Sequence, residues 1–166
     1  MLRVNCFNYA KRESKTIRMN KAALVEYMKK LLDERMQVAW EAMEAAQDSA
    51  NDQSKSSAGD KYETARSMGQ LDRNMHARQY EQVRQERVIL ERIGEGGPVK
   101  RGAVGALLET TAGWFFISVS LGVIKFETET VVAVSSSSPV GLSFLGKEAG
   151  GKFQFLNKPH SIIMIH

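Results

Sequence analysis

Cysteine and proline are scarce in this chain: one cysteine and three prolines among 166 residues. A single cysteine, Cys6, excludes an intrachain disulfide and a cysteine-based structural zinc site. The three histidines, His76, His160 and His166, have no metal-ligand spacing. A reducing, cytoplasmic compartment is therefore the natural expectation. No apolar run approaches the roughly 20 residues that cross a bilayer as a helix. The longest, 114–124, is about half that length and contains Ser118 and Ser120, so no membrane partner is expected. A Ser-His-Asp set, a phosphate loop and a dinucleotide fingerprint are also missing, and GEGG at 94–97 lacks the strand-to-helix context of such a loop.

Charge of one sign is lacking too, once the net +4 is dissected. Residues 1–18 hold Arg3, Lys11, Arg12, Lys15 and Arg18 against Glu13 alone, which accounts for the whole excess. The rest of the chain is close to neutral, so a basic-protein argument for DNA binding has little support. Residues 1–18 carry neither the apolar stretch of a secretory signal nor an amphipathic repeat, and are expected to be a disordered leader. At 43% hydrophobic and 25% charged, the chain as a whole has the composition of a folded protein rather than of a disordered one.

What is present falls into two halves with different periods. Residues 19–93 contain no proline, only Gly59 and Gly69 as glycines, and are dominated by good helix formers. Val25, Met28, Leu32, Met36, Ala39, Met43 and Ala46 step by three and four, one apolar stripe over about six turns. The stripe stops at the polar run 48–60 and resumes at Ala65, Met68, Leu71 and Met75, then more loosely at Val83, Leu90 and Ile93. Two stripes around a polar break predict an antiparallel helical hairpin, or coiled coil, roughly 45 Å long. An equally good reading of the periodicity is half of a four-helix bundle completed by a second copy.

After the glycine- and proline-punctuated linker 94–98, β-branched and aromatic residues rise. Segments 104–109, 113–119, 123–127, 131–135, 152–156 and 161–165 predict short strands, and 138–146 a turn with a short helix. The expected class is α+β: a hairpin over 19–93 and a small β-rich domain over 99–166. Few contacts are expected to cross the linker, which offers no apolar anchor.

The hairpin has an acidic tip. Glu41, Glu44, Asp48, Asp52, Asp60 and Glu63 outnumber Lys55 and Lys61, whereas the stem beyond residue 64 is net basic. Asp60 and Glu63 are three residues apart, so on a helix they share a face. Helix capping explains such a pair as well as chemistry does, since carboxylates stabilise a helix N-terminus. The chemical reading is that two carboxylates at the end of a long arm reach a magnesium ion held mainly by another macromolecule.

At these residues the chain resembles a known family. The run 56–65, SSAGDKYETA, is similar to the tip of the bacterial Gre transcript-cleavage factors, matching at Gly59, Asp60, Glu63 and Ala65. Thr64 stands where the family has Asn, and the tyrosine expected just beyond the acidic pair is missing. The run 138–155 resembles the family's C-terminal signature at Ser138, Pro139, Leu145, Gly146, Lys147 and Gly150, with departures at Phe144 and Gly151.

The resemblance implies a monomeric factor that enters the secondary channel of RNA polymerase. It implies that Asp60 and Glu63 help hold a magnesium ion belonging to the polymerase, near the RNA 3′ end, and stimulate cleavage of backtracked RNA. It also implies an FKBP-like C-terminal domain that docks through Ser137, Ser138 and Pro139, and a protein that is no enzyme on its own and has no cofactor of its own. Related paralogues enter the same channel and inhibit. A dimeric coiled-coil structural module is the competing class. A prolyl isomerase is disfavoured because Trp114, Phe115 and Phe116, being consecutive, cannot all face one side of a strand.

Overall fold

The computed structural model describes residues 19–53, 59–94 and 96–166. The expected leader, 1–18, lies outside the described residues. Two long helices come first, α1 (Lys21–Gln53) and α2 (Gly59–Gly94). Asn20 begins α1, its side-chain oxygen accepting from the Ala23 amide at 3.2 Å. The expected tip loop is shorter than the polar run that suggested it, because α1 continues through Gln53. Two features support that extension. Gln47 donates to Asn51 one turn on at 3.1 Å, and Ala50 lies against Gly69 of α2.

Six strands and a short helix follow: β1 (Leu107–Thr110), β2 (Gly113–Ser118), β3 (Gly122–Phe126), β4 (Glu129–Ser135), α3 (Pro139–Phe144), β5 (Lys152–Phe155) and β6 (Lys158–Ile165). The protein is thus α+β, a helical hairpin followed by one sheet of order β3-β4-β2-β1-β6-β5. All neighbours pair antiparallel except β2 and β4, which run parallel. The first strand starts at Leu107 rather than 104, because Gly105 takes a positive φ of 90° and turns the chain before the ladder begins. The last starts earlier than expected, at Lys158. A two-residue turn at Leu156 and Asn157, with φ of 50° and 60°, sets the register Phe155↔Lys158.

The pleat divides the sheet's apolar side chains between two layers. Leu107, Phe116, Ile124, Val131 and Ala133 face one way; Leu108, Phe115, Ile117, Val134, Phe153 and Ile162 face the other. Phe115 and Phe116 fall on opposite faces, as consecutive strand residues must. The second layer is closed by Phe144 of α3, whose ring centroid lies 5.1 Å from Phe115 and 4.7 Å from Phe153.

The first layer is closed by the base of the hairpin, against the expectation that few contacts would cross the linker. Met19, Leu24, Val25, Met28 and Leu32 of the α1 end, with Leu90 and Ile93 of α2, share one buried cluster with Leu107, Phe116 and Val131. Tyr27 adds a ring contact to Phe126 at 5.6 Å. The cause is legible in hindsight: the adjacent pairs Leu24–Val25 and Leu31–Leu32 make an apolar arc too wide for one interhelical seam. One side of that arc meets α2, and the other meets the sheet.

The facing of α2 also differs from expectation. Met68, Leu71 and Met75 are 56%, 62% and 48% exposed. Gly69, His76, Val83 and Leu90 line the inner side instead, at seven-residue intervals. A Cβ at Gly69 would stand 2.9 Å from the Ala50 Cβ, so the distal helices approach through their smallest residues.

Candidate functional site

The sequence-predicted residues occupy opposite ends of the molecule. Gly59 opens α2, Asp60 is its second residue and Glu63 its fifth, so the two acidic positions stand one turn apart at the start of the helix. There they share a face, and negative charge is favoured by the helix dipole. The Glu63 side chain is exposed, and its backbone carbonyl accepts from Ser67 Oγ at 2.8 Å. The Asp60 side chain and residues 54–58 lie outside the described residues. From Glu63 to Ile93 at the sheet, the rise of α2 covers roughly 45 Å.

Between these ends the helices are clasped by charge. Lys29, buried along its stem, contacts Glu26 at 2.7 Å on its own helix and Glu91 at 3.3 Å across the seam. Glu91 also pairs with Arg87, which reaches back to Asp33 at 3.0 Å. Hydrogen bonds from Arg87 and then Lys29 hold the Glu91 carboxyl below its ordinary pKa. The Lys29 ammonium is pushed above its ordinary value, first by its hydrogen bond to Glu26, against the opposing effect of burial. This alternating chain of charges keeps the hairpin base in register beside the sheet.

At the near end, Ser137, Ser138 and Pro139 form the entry to α3. Ser138 is its N-cap: Ser138 Oγ accepts from the Gly141 amide at 3.0 Å and donates to the Ser135 carbonyl at 2.7 Å. Pro139 supplies the fixed φ and missing donor suited to the first helical turn. The Ser137 amide donates to Ser135 Oγ at 3.1 Å, and the two hydroxyls lie 2.7 Å apart. Gly141 is required by contact, since a Cβ there would stand 2.0 Å from the Ser135 carbonyl oxygen. Ser138 and Pro139 therefore have a structural duty whatever they bind. Ser137 and Pro139 remain exposed, and so does Leu142, one turn on and 58% accessible. Leu142 is the residue sequence reasoning missed here; its i,i+3 spacing from Pro139 was the available signal.

Among the described residues, no group of three or more His, Cys, Asp or Glu could hold a metal ion, and no helix is long and apolar enough to cross a membrane. Comparison of the chain with family models, with curated proteins and with solved structures found no match.

Proposed function

We propose that the protein is a transcription factor of the Gre type. In this reading it binds bacterial RNA polymerase, inserts the acidic-tipped hairpin into the secondary channel and stimulates cleavage of backtracked RNA. The observation that carries the reading is the separation of two parts on one rigid arm. Two acidic positions stand one turn apart at the start of α2, and an exposed Ser-Pro loop stands at the sheet, roughly 45 Å away. A two-helix arm is thin enough to probe a channel, and the core shared with the sheet fixes its direction.

Two carboxylates are too few to hold magnesium alone, so the ion in this reading belongs to the polymerase. When bound there, it supplies charge stabilisation at the reacting phosphate. Asp60 and Glu63 contribute oxygens to it, the reaction is the polymerase's own, and the factor has no activity by itself. Ser137, Pro139 and the neighbouring Leu142 form the docking surface, on a C-terminal domain that the resemblance describes as FKBP-like.

Asp60→Asn and Glu63→Gln keep side-chain shape while removing charge. Added to stalled, backtracked elongation complexes, the unmodified protein should shorten the RNA. Either variant should bind equally well, cut at a rate reduced at least tenfold, and compete with the parent. Binding by the parent without shortening would assign it to the inhibitory paralogues. Normal cleavage by both variants would remove the role given to these carboxylates.

A further inference from the structure

The flank of the hairpin that carries the sheet continues beyond it. Leu24, Leu31, Val38 and Ala45 repeat every seven residues along α1, so they stand on one side of the helix. Leu24 is fully buried in the core shared with the sheet, and Leu31 packs on the same cluster. Val38, by contrast, is 66% exposed, and Ala45 is open. On α2 the matching side holds Ile89, Gln82, Met75 and Met68, again seven apart, with Leu71 one turn from each methionine. The cross-seam contacts of Ala50 with Gly69 and of Asp33 with Arg87 set the register, so Met75 lies level with Ala45.

Two complementary features share this open flank. Next to the sheet is a groove of about 620 Å³, floored by Leu31, Ala39, Ala42 and Val83 and edged by Val38 and Gln79. Nearer the tip, Met68 and Leu71 project, 56% and 62% exposed. Between them Ala42, Ala45 and Ser49 leave α1 low and uncharged. Hollow and knobs lie at similar distances, roughly 10 Å, on either side of Ala45 and Met75. A two-fold axis there, perpendicular to the arm, drops the knobs of each copy into the groove of the other.

We propose that this flank is a homodimer interface in which two hairpins pack antiparallel, tip towards base. The occupant is a second copy because the face is self-complementary and has no excess of one charge to select an opposite partner. The sheet decides the direction. It stands on the same flank, so parallel hairpins would be held apart by two sheets, whereas antiparallel hairpins overlap only along the open part. That overlap, about 30 Å long and about 20 Å wide, covers roughly 600 Å² per copy, the lower end of the range for a specific interface. A reversible dimer follows. It does not depend on the polymerase reading, in which the monomer, its flank free, is the form that enters the channel.

The test is sedimentation equilibrium of the full chain from about 1 to 300 µM, where an interface of this size dissociates. The parent should pass from monomer to dimer. Met75→Lys and Val38→Lys should each raise the dimer dissociation constant at least about tenfold, since each puts a charge into an apolar contact. Both side chains are exposed in the single chain, so the Tm and helicity of the dilute monomer should not change. Gln37→Lys, on the opposite flank beside Trp40 and Tyr80, should leave the dissociation constant as it is. In a Cys6→Ser background, Ala45→Cys should form an intermolecular disulfide on mild oxidation. Val38→Cys, about 20 Å from its counterpart in the other copy, should not. A monomer over the whole range would overturn the proposal. So would a dimer that Met75→Lys and Val38→Lys leave intact, or that Gln37→Lys weakens equally. Cross-linking through Val38→Cys rather than Ala45→Cys would overturn the antiparallel arrangement.

Discussion

Leu156 is held at a φ of 50° in the β5–β6 turn, with 79% of its surface exposed. A leucine gains nothing there: it is strained in the left-handed region and buries little in return. Asparagine adopts that conformation far more readily, so Leu156→Asn should raise stability by about 1 kcal/mol, read as a higher urea midpoint at unchanged slope. A midpoint that falls would mean that Leu156 makes a contact worth more than its strain. At the hairpin base, Glu91 sets a pH dependence with two limbs. Its folded pKa is lowered, so its contribution is complete above the unfolded value of about 4.3 and is lost as pH falls through the folded value. The Lys29 pKa is raised, so that contribution is complete below about 10.4 and is lost as pH rises through the folded value. The Tm difference between the parent and Glu91→Gln should therefore be level between about pH 5 and 9 and narrow on both sides. A difference independent of pH would leave the clasp without an energetic role.

At the scale of the element, α2 illustrates why size misleads. Its largest apolar residues, Met68, Leu71 and Met75, point outward, while Gly69 meets Ala50. Replacing an exposed helical glycine by alanine normally stabilises by about 1 kcal/mol. Here the added Cβ meets Ala50 at 2.9 Å, so Gly69→Ala should give none of that gain. Gly69→Leu should push the distal helices apart and cost about 1–3 kcal/mol, measured by chemical denaturation with helicity followed by circular dichroism. A stabilised Gly69→Leu would show that the distal helices are not in close contact.

For the whole molecule, the decisive feature is the core shared between the hairpin base and the sheet. Trp40 lies on α1 and Trp114 on β2, so a Trp40→Phe variant makes fluorescence report the sheet while far-ultraviolet dichroism reports the helices. The two transitions should coincide on heating. Phe116→Ala, which opens a cavity beneath the hairpin base, should lower both together and cost about 3–5 kcal/mol. Two separated transitions would restore the picture of independent units joined by a linker.

The sequence by itself determined the order of parts: a proline-free helical hairpin, a glycine-rich break, a small sheet and a short Ser-Pro helix. It also brought Asp60 and Glu63 to one face of a helical turn, because i,i+3 spacing is a local property of the chain. Periodicity and turn chemistry act over a few residues, so they can be read without knowing what lies opposite. Only the tertiary structure decided which side of α2 faces α1, since a glycine becomes an interior residue only when a neighbour such as Ala50 closes on it. It alone seated the hairpin base on Phe116 and Val131, and set β2 parallel to β4. Those contacts join residues far apart in the chain, and a buried leucine has the same letter whether it meets a helix or a sheet.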